Sequence, residues 1–305
     1  MDSQYSIKEL IALFKHFKFV RAVSRQTGLS RTKIKKILLQ NNVAILSNDD
    51  ANRLSSLKHA RNPFTGSSKE KAWLYGFVLG DVHVFKKSKF TLRAITHTTH
   101  KSFVNLFQKA FQKYGVVNCR FNKKQKRWAL WIDLEYRDFS FLEQRTESSI
   151  PSWIDDSNFI EFIAGFIDSD GSVLIRKTGN YFQYLVKLFG QEHDLLLEIQ
   201  QRLRAISIKS NICRVFKSGS SRSWRGKIIQ YNKDYFELVI CRKEEVINLL
   251  RLLPIKHKEK TRKRDQMLDI YARGPFLWDD IKEEIIELRQ SIQTEVRSHL
   301  AEQLP

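Results

Sequence analysis

One segment of this chain occurs twice, and a duplicated segment limits the fold more sharply than any overall composition. Trp73-Leu74-Tyr75-Gly76-Phe77-Val78-Leu79-Gly80-Asp81-Val82-His83-Val84 aligns with Phe162-Ile163-Ala164-Gly165-Phe166-Ile167-Asp168-Ser169-Asp170-Gly171-Ser172-Val173. Each copy reads as an apolar helix ending in an acid, Asp81 or Asp170. Alternating stretches follow, over residues 89–96 in the first copy and 173–177 with 181–189 in the second, as a β-hairpin requires. A helix comes next, marked by Phe103, Leu106, Phe107, Ala110 and Phe111 in one copy and by residues 195–203 in the other. Asn118-Cys119-Arg120 and Ile212-Cys213-Arg214 then open another strand pair, the cysteines reading as small buried strand residues. The expected architecture is α+β, with αββαββ twice.

Small residues lie four apart in each copy, Gly76 and Gly80 in one and Gly165 and Ser169 in the other. Such spacing lets two helix backbones approach closely. If the helices cross on these faces, Asp81 and Asp170 end up side by side, and paired carboxylates need a proton or a metal to coexist. Lys and Arg number 53 against 33 Asp and Glu, a net charge of +20, which points to a polyanion such as nucleic acid. For a basic chain beside a phosphodiester, the economical neutraliser is a divalent cation. Asp168 reads as a helix cap or a solvated charge.

Residues 6–41 read as three short helices: Ile7, Leu10, Ile11 and Phe14 on the first, residues 20–27 as the second and 31–40 as the third. Gly28 suits a left-handed helix end, and Ser30 suits an N-cap. Val23, Leu29, Ile34 and Ile37 would face inward, leaving Arg31, Thr32, Lys33, Lys35 and Lys36 for a major groove. The spacing resembles a helix-turn-helix. The domains expected are therefore 1–45 (helical), 46–70 (a linker that tethers rather than packs, with a helical turn or two over 50–60), 71–150 (first half) and 151–305 (second half). Residues 277–300 carry an apolar stripe of Ile281, Ile285, Leu288, Ile292, Val296 and Leu300, expected to pack on the second half.

Both repeated segments resemble the LAGLIDADG motif of homing endonucleases, the second more fully, since the first has Leu79 in place of the sixth-position Asp and Val82 in place of the final Gly. The resemblance covers roughly residues 71–273. It implies two pseudo-symmetric halves in one chain, a monomer whose β-sheets form a saddle over a long asymmetric double-stranded DNA site. It also implies a site-specific, double-strand-cutting endonuclease using Mg²⁺, or Mn²⁺ in its place, bound by Asp81 and Asp170 with the preceding carbonyls of Gly80 and Ser169. Gln191 and His97 fall where the family places a polar residue after the second strand. Lys260 fits the basic residue after the late helix, while the first half offers only Arg137, Arg145 or Lys101 from a helix start, so the two strand-cutting centres are expected to be unequal. DNA contacts on the saddle are expected from Arg93, Arg120, Lys123, Lys124, Arg127, Arg176, Lys177, Lys187, Arg214 and Lys217, besides Arg31, Lys33 and Lys35 of the helical module. The alternatives are a maturase bound to intron RNA and a transcription regulator derived from the same scaffold; retention of both acids weighs against the regulator.

Three scattered cysteines, no apolar run of about 20 residues and no secretory-type N-terminus lead us to expect an intracellular protein, in the cytoplasm or nucleoid or in an organelle with its own genome.

Overall fold

The computed structural model describes residues 5–45, 47, 59–143, 149–224 and 227–303. The chain divides into two compact units, residues 1–60 and 61–305.

The first unit is a three-helix cluster: α1 (Ile7–Phe17), α2 (Val20–Thr27) and α3 (Arg31–Gln40). Ser6 and Glu9 cap α1 reciprocally through a capping box. Gly28 ends α2 at φ 72°, a left-handed conformation that costs a side-chain-bearing residue strain, and Ser30 caps α3 by accepting from the Lys33 N–H. Leu10, Phe14, Val23, Ile34 and Leu38 form its core. Ile37 packs half-buried against this core, which Leu38, one turn beyond Ile34, joins; one expectation needs correction, since Lys35 is half-buried at the margin of the apolar stripe. Arg31, Thr32, Lys33 and Lys36 are exposed as expected.

In the second unit two motif helices, α4 (Ser68–Leu79) and α7 (Phe159–Asp170), pack against each other through their small residues. A Cβ built on Gly76 would lie 2.0 Å from the Phe162 carbonyl oxygen, and one on Gly165 would lie 2.0 Å from that of Trp73. Only glycine permits an approach this close, and the reciprocity of the two contacts is what a pseudo-two-fold axis produces.

Each half adds an antiparallel sheet. The first is ordered β1-β2-β4-β3, from β1 (His83–Ser88), β2 (Thr91–Thr98), β3 (Asn118–Asn122) and β4 (Arg127–Glu135), with α5 (Lys101–Phe111) between the hairpins and a short α6 (Tyr136–Phe139) after β4. The second is ordered β5-β6-β10-β7, from β5 (Ser172–Thr178), β6 (Tyr181–Gly190), β7 (Asn211–Phe216) and β10 (Tyr235–Ile240), with α8 (His193–Ala205) in the place of α5. The repeat is therefore αββαββ in both halves, except that β8 (Ser221–Trp224) and β9 (Lys227–Gln230) form a separate hairpin between β7 and β10. Helices α9 (Lys243–Leu252), α10 (Lys258–Arg273) and α11 (Trp278–Ala301) complete the chain. Ile281, Ile285 and Ile292 of α11 are buried, and Arg289 donates to the Ile175 carbonyl, so α11 packs on the second half as expected.

Residues 61–66 pack rather than tether. Arg61 donates to the Phe90 carbonyl and Thr91 Oγ1, Asn62 bonds backbone carbonyls of the segment after α5, and Phe64 contacts the rings of Tyr114, Phe139 and Phe141. Aromatic area buried in the core outweighs the turn-forming composition of this stretch. The helical turn expected over 50–60 lies almost wholly outside the described residues, as does Arg145. Cys119 and Cys213 are exposed rather than buried, because both sit on edge strands.

Candidate metal centre and nucleic-acid face

The crossing of α4 and α7 fixes the ends of both motif segments. A Cβ on Gly80 would lie 2.3 Å from Ser169 Oγ and 2.8 Å from Asp170 Cβ, so the two segment ends abut. The Asp81 N–H donates to Ser169 Oγ (2.7 Å), and Thr96 Oγ1, from the end of β2, donates to the Asp81 carbonyl (2.7 Å). Asp81 is exposed and Asp170 half-buried. Tyr235, at the start of β10, senses both carboxylates: burial first, then the charges of Asp170 and Asp81 and a hydrogen bond to Asp170, push its phenol well above the usual tyrosine range. Nothing local in the sequence pointed to Tyr235, which reaches the acids only through strand pairing.

Gln191 lies with Asp170, Gly80 and Tyr235 around one cavity of about 290 Å³, so the structure brings this expected residue to the acids. His97 is exposed on β2, next to Thr96; burial and the charge of Arg127 hold its pKa below the ordinary value. Lys101 sits at the start of α5 with its ammonium 5.9 Å from the centre of the Trp128 ring.

Lys260, in the first turn of α10, donates to three carbonyls at the end of α7: Ile167 (2.5 Å), Asp168 (3.1 Å) and Ser169 (2.9 Å). This is charge placed against the negative end of a helix dipole. Burial lowers its pKa to about 8, against the opposing pull of Asp168, Asp170 and Asp81. The Ser169 carbonyl, expected to face a metal, is thus already an acceptor for an ammonium.

Asp168 is neither a cap nor a solvated charge. It is fully buried and accepts from Trp73 Nε1 (2.9 Å), the Lys256 N–H (3.0 Å to each oxygen) and the His257 N–H (2.9 Å). Burial raises its pKa, and these hydrogen bonds and the charge of Lys260 oppose the rise. The residue matching it in the first motif is Leu79, so this feature belongs to one half only.

Two carboxylates and neighbouring carbonyls are hard oxygen donors of the kind Mg²⁺ or Mn²⁺ prefers. Among the described residues no group of three or more His, Cys, Asp or Glu could hold a metal. A divalent ion between the two carboxylates would need water or phosphate oxygens to complete its shell.

The strand register sorts the expected DNA contacts. Arg93 pairs across with Asp133, and His97 with Ala129 and through it Arg120, so Arg93, His97 and Arg120 share the face opposite the buried Leu92, Ala94 and Thr96. Arg93 is held bidentately by Asp133 (2.6 and 2.9 Å), which Lys87 also reaches. Arg120 and Lys123 are exposed, as is Lys124, and Arg127 bonds Gln125. On the second sheet Arg176 is exposed beside Gln183, while Lys187 is paired with Glu237. Lys177 must be reassigned: alternation puts it on the row of buried Val173 and Ile175, and its ammonium lies 5.9 Å from the Trp278 ring centre. Arg214 shares a row with Ile212 and Leu238 and is paired with Asp234, whereas Lys217 is exposed beyond the strand.

Residues 159–254 match the family model described as LAGLIDADG-like domain. The segment that carries the second motif is thus similar to LAGLIDADG-like domains. It is 23% identical over 282 residues to an uncharacterized protein of Methanocaldococcus jannaschii, covering 88% of this chain and 96% of that one. Similar solved structures include the I-LtrWI LAGLIDADG homing endonuclease bound to target DNA (11% identity, TM-score 0.44, 72% of this chain and 96% of that one). Another is the homing endonuclease I-WcaI bound to its DNA recognition sequence (15% identity, TM-score 0.42, 65% of this chain and 87% of that one).

Proposed function

We propose that this protein is a site-specific endonuclease that cuts both strands of DNA with divalent metal held between Asp81 and Asp170. The observation that carries this reading is the abutment of Gly80 on Ser169 and Asp170, which gathers two acids at the base of two sheets in a chain of net charge +20. A bound divalent ion would supply an activated water and charge stabilisation for the leaving oxygen. Asp81 and Asp170 bind and orient. Gln191, which follows β6 and shares a cavity with Asp170, is placed to order solvent, with Tyr235 holding the Asp170 carboxylate; His97, on β2 next to Thr96, is the candidate for that role in the first half. If Lys260 has no equivalent in the first half, where none stands out among the described residues, the two strands would be cut at unequal rates.

Binding would rest on the sheet faces. Exposed Arg120, Lys123 and Arg176 suit phosphates. Arg93 and Lys187 are already paired with Asp133 and Glu237, and paired side chains have fixed geometry, which favours a role at base edges over one as free phosphate counter-charges. Exposed Arg31, Lys33 and Lys36 on α3 would add contacts of their own to DNA.

The test is incubation with Mg²⁺ and a plasmid library tiling the uninterrupted locus around the gene, with Asp170→Asn as control. A double-strand break that disappears in the control supports the reading. Tight, metal-independent binding without a break, in Mg²⁺ or Mn²⁺, overturns it and makes intron RNA the next ligand to test.

A further inference from the structure

The segment 256–260 lies between the halves and is held at both ends by buried carboxylates. At one end Asp168 takes the N–H groups of Lys256 and His257 together with the Trp73 indole of the opposite motif helix. Lys256 in turn places its ammonium 3.8 Å from the centre of the same Trp73 ring. At the other end Glu259, itself only 9% exposed, contacts His100 Nδ1 (3.0 and 3.2 Å) and accepts from Ser102 Oγ (2.5 Å) at the start of α5 in the first half. The residue next to Glu259 is Lys260, with its three carbonyl acceptors on α7.

We propose that Asp168 and Glu259 are positioning residues, which clasp the 256–260 segment across the two halves and so hold the Lys260 ammonium on the carbonyls of residues 167–169, immediately beside Asp170. A lysine side chain has four rotatable bonds and a strong preference for water, so a half-buried ammonium with one fixed contact set needs its backbone fixed as well. Asp168 fixes the two peptides before α10, and Glu259 fixes the first turn of that helix from the other side. The arrangement is one-sided, since Leu79 stands where Asp168 would be in the first motif. It places a resident positive charge on the Ser169 carbonyl and so leaves a divalent ion to the carboxylates and the opposite side of the centre. This inference rests on the metal reading above for its consequence, but the placement of Lys260 can be tested without it.

The experiment is amine acylation of the full native chain followed by mass spectrometry, comparing Lys260 with Lys187, whose ammonium is paired in the second sheet. Wild type should protect Lys260. Asp168→Asn should raise its labelling by at least about tenfold with Lys187 unchanged, and Glu259→Gln should move it in the same direction. Mn²⁺ affinity is measured on the same proteins. Lys260→Met should tighten Mn²⁺ about tenfold, because a neighbouring unit charge is removed, and much less when Asp168→Asn is already present. Lys260 remaining protected in both carboxylate variants would overturn the proposal. Equal exposure of Lys260 and Lys187 would also overturn it, by showing general loosening. Failure of wild type to bind Mn²⁺ would instead sink the metal reading, with the labelling result still deciding the clasp.

Discussion

Gly76→Ala is the most quantitative test of the crossing that creates the centre. The added Cβ would sit 2.0 Å from the Phe162 carbonyl oxygen and 2.9 Å from the Phe166 nitrogen, both backbone atoms of a helix that cannot swing aside. Ordinary contact begins near 3.4 Å, so α4 and α7 would have to part by about 1.4 Å, and a gap of about 0.5–1 Å already forfeits roughly a quarter to a half of each dispersion contact. The rings of Trp73, Phe77, Phe162 and Phe166, all buried along this seam, would lose packing together. Overpacking usually costs about 1–3 kcal/mol and more where backbone resists, so we take about 4 here. Alanine returns about 1 kcal/mol through its better helix propensity, leaving about 3 kcal/mol net. For a unit of this size that is a fall in Tm of roughly 6–12 °C, read by calorimetry or circular dichroism. Gly190→Ala, whose Cβ would meet nothing closer than 4.0 Å, is the control and should change stability by less than about 0.5 kcal/mol. A Gly76→Ala protein as stable as its control would refute the close crossing and with it the abutment of Asp81 and Asp170.

Other outcomes follow from the same geometry. Trp73→Phe removes one donor from the buried Asp168 carboxylate and should cost about 1–3 kcal/mol in denaturant unfolding; no change would mean that Asp168 is satisfied without it. Acid should weaken the fold in two stages. Burial, then the charge of Lys260, holds the His257 pKa below its ordinary value; hydrogen bonds from His100 and Ser102 and the charge of His100 overcome burial to hold Glu259 below its own. The unfolded chain therefore binds protons that the folded chain does not, so stability should fall as pH drops below about 6.5 and again below about 4.5. His257→Gln should flatten the upper stage, and a wild-type stability that is level from pH 7 to 5 would count against this. Gly28→Ala forces a side chain into φ 72° and should lower the stability of the first unit by about 1 kcal/mol, seen as faster amide exchange in α2 and α3; unchanged exchange would contradict the strained turn.

Much of this arrangement was legible in the sequence because its signals are local or repeated. The three N-terminal helices, the duplicated αββαββ order, the small-residue seam and the two acids all follow from spacing within a dozen residues or from the repeat itself. What escaped depends on partners far apart in the chain. Asp168 and Trp73 are 95 positions apart, and no periodicity marks a carboxylate that is fully buried because backbone N–H groups from a distant loop reach it. Tyr235 and Glu259 were missed for the same reason. The β8–β9 hairpin lacks a buried face of its own among the described residues, with Ile228 81% exposed, so it left no alternation to read. Lys177 was misplaced because one position of strand register reverses a side chain's face, and register is fixed by the partner strand. Residues 61–66 looked like linker because turn-forming residues surround Phe64, whose aromatic contacts decide its burial.

The most direct test of the central claim is equilibrium Mn²⁺ binding to wild type, Asp81→Asn and Asp170→Asn, followed by the electron paramagnetic resonance signal of free ion. A centre formed by the two carboxylates together predicts that each substitution weakens binding at least about tenfold while the fold is retained. Binding unchanged in both variants would show that the paired acids hold no metal and would contradict the account.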